Sequence, residues 1–157
     1  RDYYIILAKI IDIFVFLLYD TIDKIYEKKG EKSMEVKFYK CNLCGTIVDK
    51  IVNNNDSLMC CGEKMQELVP NSVDAAQEKH VPVYERVEDE IVVKVGSVEH
   101  PMTKEHYIMW IAQVSQNRVT RVELYPEQGT ETRFPYIPGS TIYAYCNLHG
   151  LWKSEVE

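Results

Sequence analysis

Glycine and proline are scarce in this chain, at 7 and 6 of 157 residues. That scarcity excludes collagen-like and mucin-like chains, and 46% hydrophobic residues exclude wholesale disorder. Basic charge is also short: 18 Lys and Arg against 24 Asp and Glu leave a net charge of −6. A general nucleic-acid-binding protein needs a basic surface, so no nucleic-acid partner is expected. The sequence shows no internal repeat and no low-complexity segment. It shows no secretory signal ahead of Met34, since a basic start and a small-residue cleavage site are both missing. Cysteine is odd in number, at 5, which argues against a simple disulfide framework. What is abundant is β-forming side chains, with 11 Tyr and many Val and Ile. The 5 Cys and 4 His are then the informative residues, as candidate metal ligands.

Residues 3–19 make up the long apolar run, broken by Lys9 and Asp12. A spanning helix needs about 20 apolar residues, and a Lys and an Asp in mid-segment are costly in a bilayer. A membrane anchor is therefore the least favoured reading, and a buried or interfacial helix the second. The favoured reading is a translated leader over residues 1–33. Lys28-Lys29-Gly30-Glu31 can be spelled by purine-rich codons containing GGAG, like a bacterial ribosome-binding site just ahead of a start codon at Met34. Six basic and six acidic residues lie in 1–33, so the whole −6 falls on 34–157.

Residues 34–70 read as a small metal knuckle. Residues 36–39 alternate like a short strand, and Cys41-Asn42-Leu43-Cys44-Gly45 follows. Such a turn brings two thiolates onto one metal, with the glycine letting the backbone fold beneath the sulfurs. A second strand over 46–52 ends at Asn53-Asn54-Asn55-Asp56, a strong turn signal. Cys60-Cys61-Gly62 comes next, then a strand over 65–69. Cys41, Cys44, Cys60 and Cys61 point to a tetrahedral sulfur site. Two ordinary knuckles would hold zinc or iron. Adjacent cysteines cannot spread their sulfurs as a knuckle does, so a distorted tetrahedron is expected. This spacing, with its vicinal pair, resembles the desulforedoxin site, a mononuclear iron held by four thiolates.

Residues 71–157 read as an all-β domain, after a helical turn over 73–79. Strands are expected over 81–87, 91–95, 107–115, 118–125, 131–136, 141–145 and 151–156, with turn signals such as Gln128-Gly129 and Pro138-Gly139 between them. About seven short strands point to an immunoglobulin-like β-sandwich. All four His and the fifth Cys fall at strand ends or loops of this region: His80, His100, His106, and Cys146-Asn147-Leu148-His149-Gly150. Four imidazoles and one thiolate suit iron better than structural zinc, which closes at four ligands.

Taken together, residues 34–157 resemble desulfoferrodoxin, the two-iron form of superoxide reductase. The motifs are Cys-x2-Cys-x15-Cys-Cys, Glu-Lys-His-Val-Pro, His-Pro-Met-x3-His and Cys-Asn-x-His-Gly. The resemblance implies two non-haem irons per chain. It makes His80, His100, His106 and His149 equatorial ligands and Cys146 the axial thiolate, with the sixth position open. Lys79, beside ligand His80, would attract superoxide and orient a proton-delivering water. Glu78 resembles the carboxylate that occupies the sixth position after oxidation. Asn147 would hydrogen-bond the Cys146 region. The family further implies rubredoxin as electron donor, a homodimer, and a cytoplasmic role in anaerobe detoxification and electron transport. Two other readings stand beside the enzyme: an iron electron carrier or redox sensor, and a zinc-ribbon interaction module.

Overall fold

The computed structural model describes residues 36–52 and 54–157, so the leader or helix reading of 1–33 lies outside the described residues. The described residues belong to one compact unit, Met34–Glu157. The knuckle is built on β1 (Lys37–Lys40) and β2 (Ile47–Lys50), which pair antiparallel. Their connection is closed by two backbone bonds, Cys41 N–H to Thr46 O and Gly45 N–H to Cys41 O, both 2.9 Å. Gly45 sits at φ 76°, where a side chain would be strained. The second cysteine pair rides on a two-residue ladder, β3 (Met59–Cys60) with β4 (Glu63–Lys64), and β5 (Gln66–Glu67) completes the first sheet in the order β2-β1-β5.

The expected strand over 65–69 is thus broken. Met65 leaves the ladder, donates to Leu58 O at 2.8 Å and buries its side chain. The expected helical turn over 73–79 forms later, as α1 (Gln77–His80), after bends over residues 73–76.

The sandwich follows. One sheet runs β10 (Thr132–Pro135), β7 (Glu90–Val95), β6 (Pro82–Val87); the other runs β12 (Gly150–Glu155), β11 (Thr141–Cys146), β8 (Ile108–Val114), β9 (Val119–Glu123). Alternation does the work in β7, where Ile91, Val93 and Val95 point inward and their neighbours outward. They meet Ile108, Ile111, Phe134, Ile142 and Ala144 in the core, and Cys146 belongs to the same cluster. Gln113 is buried but satisfied, donating to Pro135 O at 2.9 Å and Ser140 Oγ at 3.0 Å.

A register shift between Tyr145 and Cys146 skips Met109, so Cys146 lies opposite Ile108. Such a bulge re-aims side chains, and here it turns Ile108 into the core beside Cys146. The far face of the same sheet carries Trp110, Ala112, Tyr145 and Leu151, which pack against Phe38 of β1. Phe38 touches Trp110 and Tyr143 at ring separations of 5.1 and 5.3 Å. The knuckle sheet is therefore seated on the sandwich by aromatic packing.

Candidate metal centres

The structure gathers the nine cysteines and histidines into two groups, each with its donor atoms within 4.8 Å of one another. The first is Cys41, Cys44, Cys60 and Cys61. None forms a disulfide. Cys60 Sγ lies 3.6 Å from Cys44 Sγ and 3.8 Å from Cys61 Sγ. Four sulfurs each about 2.3 Å from one ion stand about 3.8 Å apart, so the group fits a tetrahedral metal. The vicinal pair spreads through its backbone: Cys61 has φ 50° and Gly62 φ 82°, both left-handed. Thr46 holds Cys44 down to about 6, chiefly through its hydroxyl 3.1 Å from the sulfur. Sharing protons with Cys44 pushes Cys60 up to about 12 and raises Cys61 as well. Four neighbouring sulfurs cannot all be thiolates unless a cation joins them.

The second group is His80, His100, His106, Cys146 and His149. His80 ends α1, and α1 is held by a close approach. A Cβ at Gly96, φ +81°, would come within 2.7 Å of the Lys79 carbonyl. His100 and His106 bracket the loop before β8; Cys146 and His149 share the turn from β11 to β12. Neighbouring imidazoles meet edge-on, with interplanar angles of 79° for His80–His100, 76° for His100–His106, 77° for His106–His149 and 81° for His149–His80. Their centroids are 4.6–4.8 Å apart. His80 and His106 face each other across this ring at 6.3 Å and 28°, the diagonal of a square with such edges.

The nitrogens turned inward are short of partners. His100 Nε2 and His106 Nε2 are buried without a hydrogen bond, which is costly for a lone pair that nothing else satisfies. His80 Nε2 and His149 Nδ1 are 2.9 Å apart, and two nitrogens at right angles about 2.1 Å from one ion would be about 3.0 Å apart. Outward nitrogens are fixed by carbonyls. His80 Nδ1–H donates to Ala76 O at 2.7 Å and His100 Nδ1–H to Pro101 O at 2.6 Å, leaving each Nε2 as the lone pair. Burial lowers His80, His106 and His100, the last to about 4, so these imidazoles stay neutral and able to ligate. Cys146 Sγ lies 3.6 Å from His149 Nδ1 and accepts the His149 N–H at 3.4 Å. Burial pushes its thiol up, a preference that a bound cation reverses.

Lys79 and Glu78 are exposed on α1. Lys79 shares an open cleft with His100, Glu99, Pro101, Met102 and Glu127. Its charge is felt by both His80 and His106, which places it near two ligands from different segments. Glu78 acts on His80, and its carbonyl accepts Val98 N–H at 2.9 Å. Asn147 reaches further than the sequence indicated. It accepts Tyr107 N–H at 2.9 Å and donates to Glu105 O at 2.8 Å, clamping the Cys146 turn to the His106 loop. Thr46, the Ala76 and Pro101 carbonyls and Trp152 were not found from sequence. A backbone carbonyl leaves no trace in residue identity.

Comparison with known proteins agrees with both groups. Residues 72–155 match the family described as Desulfoferrodoxin, and residues 33–68 match its N-terminal domain. The chain is 48% identical over 122 residues to a desulfoferrodoxin of Syntrophotalea carbinolica, covering 77% of this chain and 97% of the relative. A desulfoferrodoxin of Clostridium acetobutylicum is 43% identical over 122 residues, covering 78% and 98%. Among solved structures, the superoxide reductase from Treponema pallidum matches with a TM-score of 0.63 at 30% identity, covering 77% of this chain and 98% of that one. All four cysteines of the first group fall in the N-terminal match and all five residues of the second in the other, and the chain belongs to the desulfoferrodoxin family.

Proposed function

We propose that the chain is a superoxide reductase, reducing superoxide to hydrogen peroxide at the five-ligand site without releasing dioxygen. The observation that carries this is the square of four imidazoles with one cysteine sulfur, two of its inward nitrogens orphaned. Five donors leave a six-coordinate ion one position, which a closed four-thiolate site lacks. That separates this site from a pure electron carrier. The donor set fits iron at both centres: His80, His100, His106, His149 and Cys146 would hold one, and Cys41, Cys44, Cys60 and Cys61 the other. A ferrous ion there supplies the one electron that superoxide needs, and two protons complete the product.

The chain's own residues do the rest. The Lys79 ammonium, in the cleft beside His100, draws the anion toward an otherwise acidic protein. It also orients a water through which a proton reaches the reduced oxygen. The Ala76 and Pro101 carbonyls hold the His80 and His100 tautomers, so their lone pairs stay aimed inward. Glu78, one residue before Lys79, would offer its carboxylate to the ion in the oxidised state. Rubredoxin as donor, a homodimer and a cytoplasmic setting in an anaerobe rest on family resemblance. Among the described residues no helix is long and apolar enough to cross a membrane.

Rapid mixing of the ferrous protein with superoxide tests the reading. Second-order loss of superoxide with matching loss of ferrous iron is expected, and zinc-substituted protein should be inert. Iron that stays ferrous while superoxide disappears at its spontaneous rate would reject it.

A further inference from the structure

The five ligands need more than carbonyl partners to keep their geometry. A hydrogen bond from His80 Nδ1 to Ala76 O fixes where that ring points, but not its rotation about the bond. Something else must set the plane of the ring. Trp152 of β12 is there: its indole lies 4.9 Å from the His80 ring at 22°, face against face. It is 0% exposed, so no solvent competes for that face. The same side chain reaches a second ligand. Its Nε1–H donates to His149 O at 3.1 Å. That carbonyl lies at the turn where Cys146 pairs with Gly150, and Gly150 takes φ +74° to make it.

We infer that Trp152 is a positioning residue for the metal site, setting the plane of His80 and anchoring the turn that carries His149. Phenylalanine would keep a flat face without the donor, and leucine would keep neither, each leaving some space behind. Only tryptophan combines a flat face for His80 with a donor for the His149 carbonyl. Both contacts converge on the inward pair His80 Nε2 and His149 Nδ1, at 2.9 Å. Losing them frees one ring to rotate and one turn to shift, so two of five donors misalign together. The inference rests on reading the group as an iron site.

The test uses the full chain, with ferrous-iron affinity of the five-ligand site measured by chelator competition. The thermal unfolding transition and near-UV circular dichroism of the sandwich report folding. Trp152→Leu removes both contacts and should weaken iron binding by about 10–100-fold, the usual cost of losing partners behind ligands. Trp152→Phe keeps a face on His80 but drops the donor. It should weaken binding less and change the rhombicity of the ferric resonance signal. Phe134→Leu is the control, since Phe134 is equally buried in the sandwich core and should leave iron affinity unchanged. Trp152→Leu binding iron as tightly as Phe134→Leu would overturn the inference. If Trp152→Leu fails to fold, Trp152→Phe decides, and wild-type affinity with an unaltered ferric signal would overturn it. Failure of the wild-type site to take up iron would instead overturn the underlying reading of the site.

Discussion

The two metal centres are held by opposite means. The four-cysteine group sits on ladders as short as two residues, with Cys44 and Cys61 exposed at its edge. Tight turns organise it, through the backbone bonds between Cys41, Gly45 and Thr46, the left-handed Cys61 and Gly62, and the Thr46 hydroxyl beside Cys44. The five-ligand group is set into strand ends of a packed sandwich, with His80, His100 and Cys146 buried and two rings tied to carbonyls. The first centre offers four crowded sulfurs that would close around an ion. The second has its donors placed by buried, carbonyl-tied rings, and five donors would leave a six-coordinate ion one position free. That is the arrangement expected when one centre is closed and the other must admit a small anion.

The sharpest way to break this contrast is to remove a ligand from the rigid centre. His100→Ala should abolish superoxide reduction, by about 10²-fold or more, because it removes a ligand and leaves a buried gap. Iron at the four-cysteine centre should remain, and iron counting with superoxide decay checks both at once. Acid attacks the same centre through its buried imidazoles. His100 has an ordinary value of 6.5 and is pushed down to about 4 in the fold. The unfolded chain therefore binds more protons between those values, so stability is present above about 6.5 and is lost as pH falls toward about 4. Thermal melts of metal-free protein across that window should show a falling midpoint. A flat profile would mean that His100 is not held neutral.

Much of this contrast was legible in the sequence because long strands have periodicity and ligands have identity. The strands expected over 141–145 and 151–156 match β11 and β12 to within a residue at either end. Two-residue ladders such as β3 and β4 have no period to read, and the strand over 65–69 is cut to β5 (Gln66–Glu67) because Met65 N–H pairs with Leu58 on the β3 side instead. The ligands stood out because the four His and five Cys fall within the motifs of the two centres. What supports them did not. Ala76 and Pro101 act through their backbones, and Trp152 meets His80 only once α1 and β12 are folded together.

Smaller effects sharpen the account. Lys79→Ala should slow the bimolecular step by about tenfold without removing iron, and the wild-type rate should fall as salt rises. Stopped-flow traces at two ionic strengths check this, and an unchanged rate would assign the attraction to another cation. Cys60→Ser should strip the four-cysteine centre of its iron while leaving superoxide reduction largely intact. Loss of both would show that the knuckle supports the sandwich through the Phe38, Trp110 and Tyr143 contacts. Glu78→Ala should change least, with a normal encounter rate and an altered ferric spectrum. A ferric spectrum identical to wild type across pH would leave Glu78 as a solvated charge.

The central claim is that the five-ligand centre reduces superoxide and does not dismutate it. Product stoichiometry tests this most directly. With a continuous electron donor, one hydrogen peroxide should form per superoxide consumed, with no dioxygen evolved. Half that peroxide, accompanied by an equal amount of dioxygen, would contradict the account.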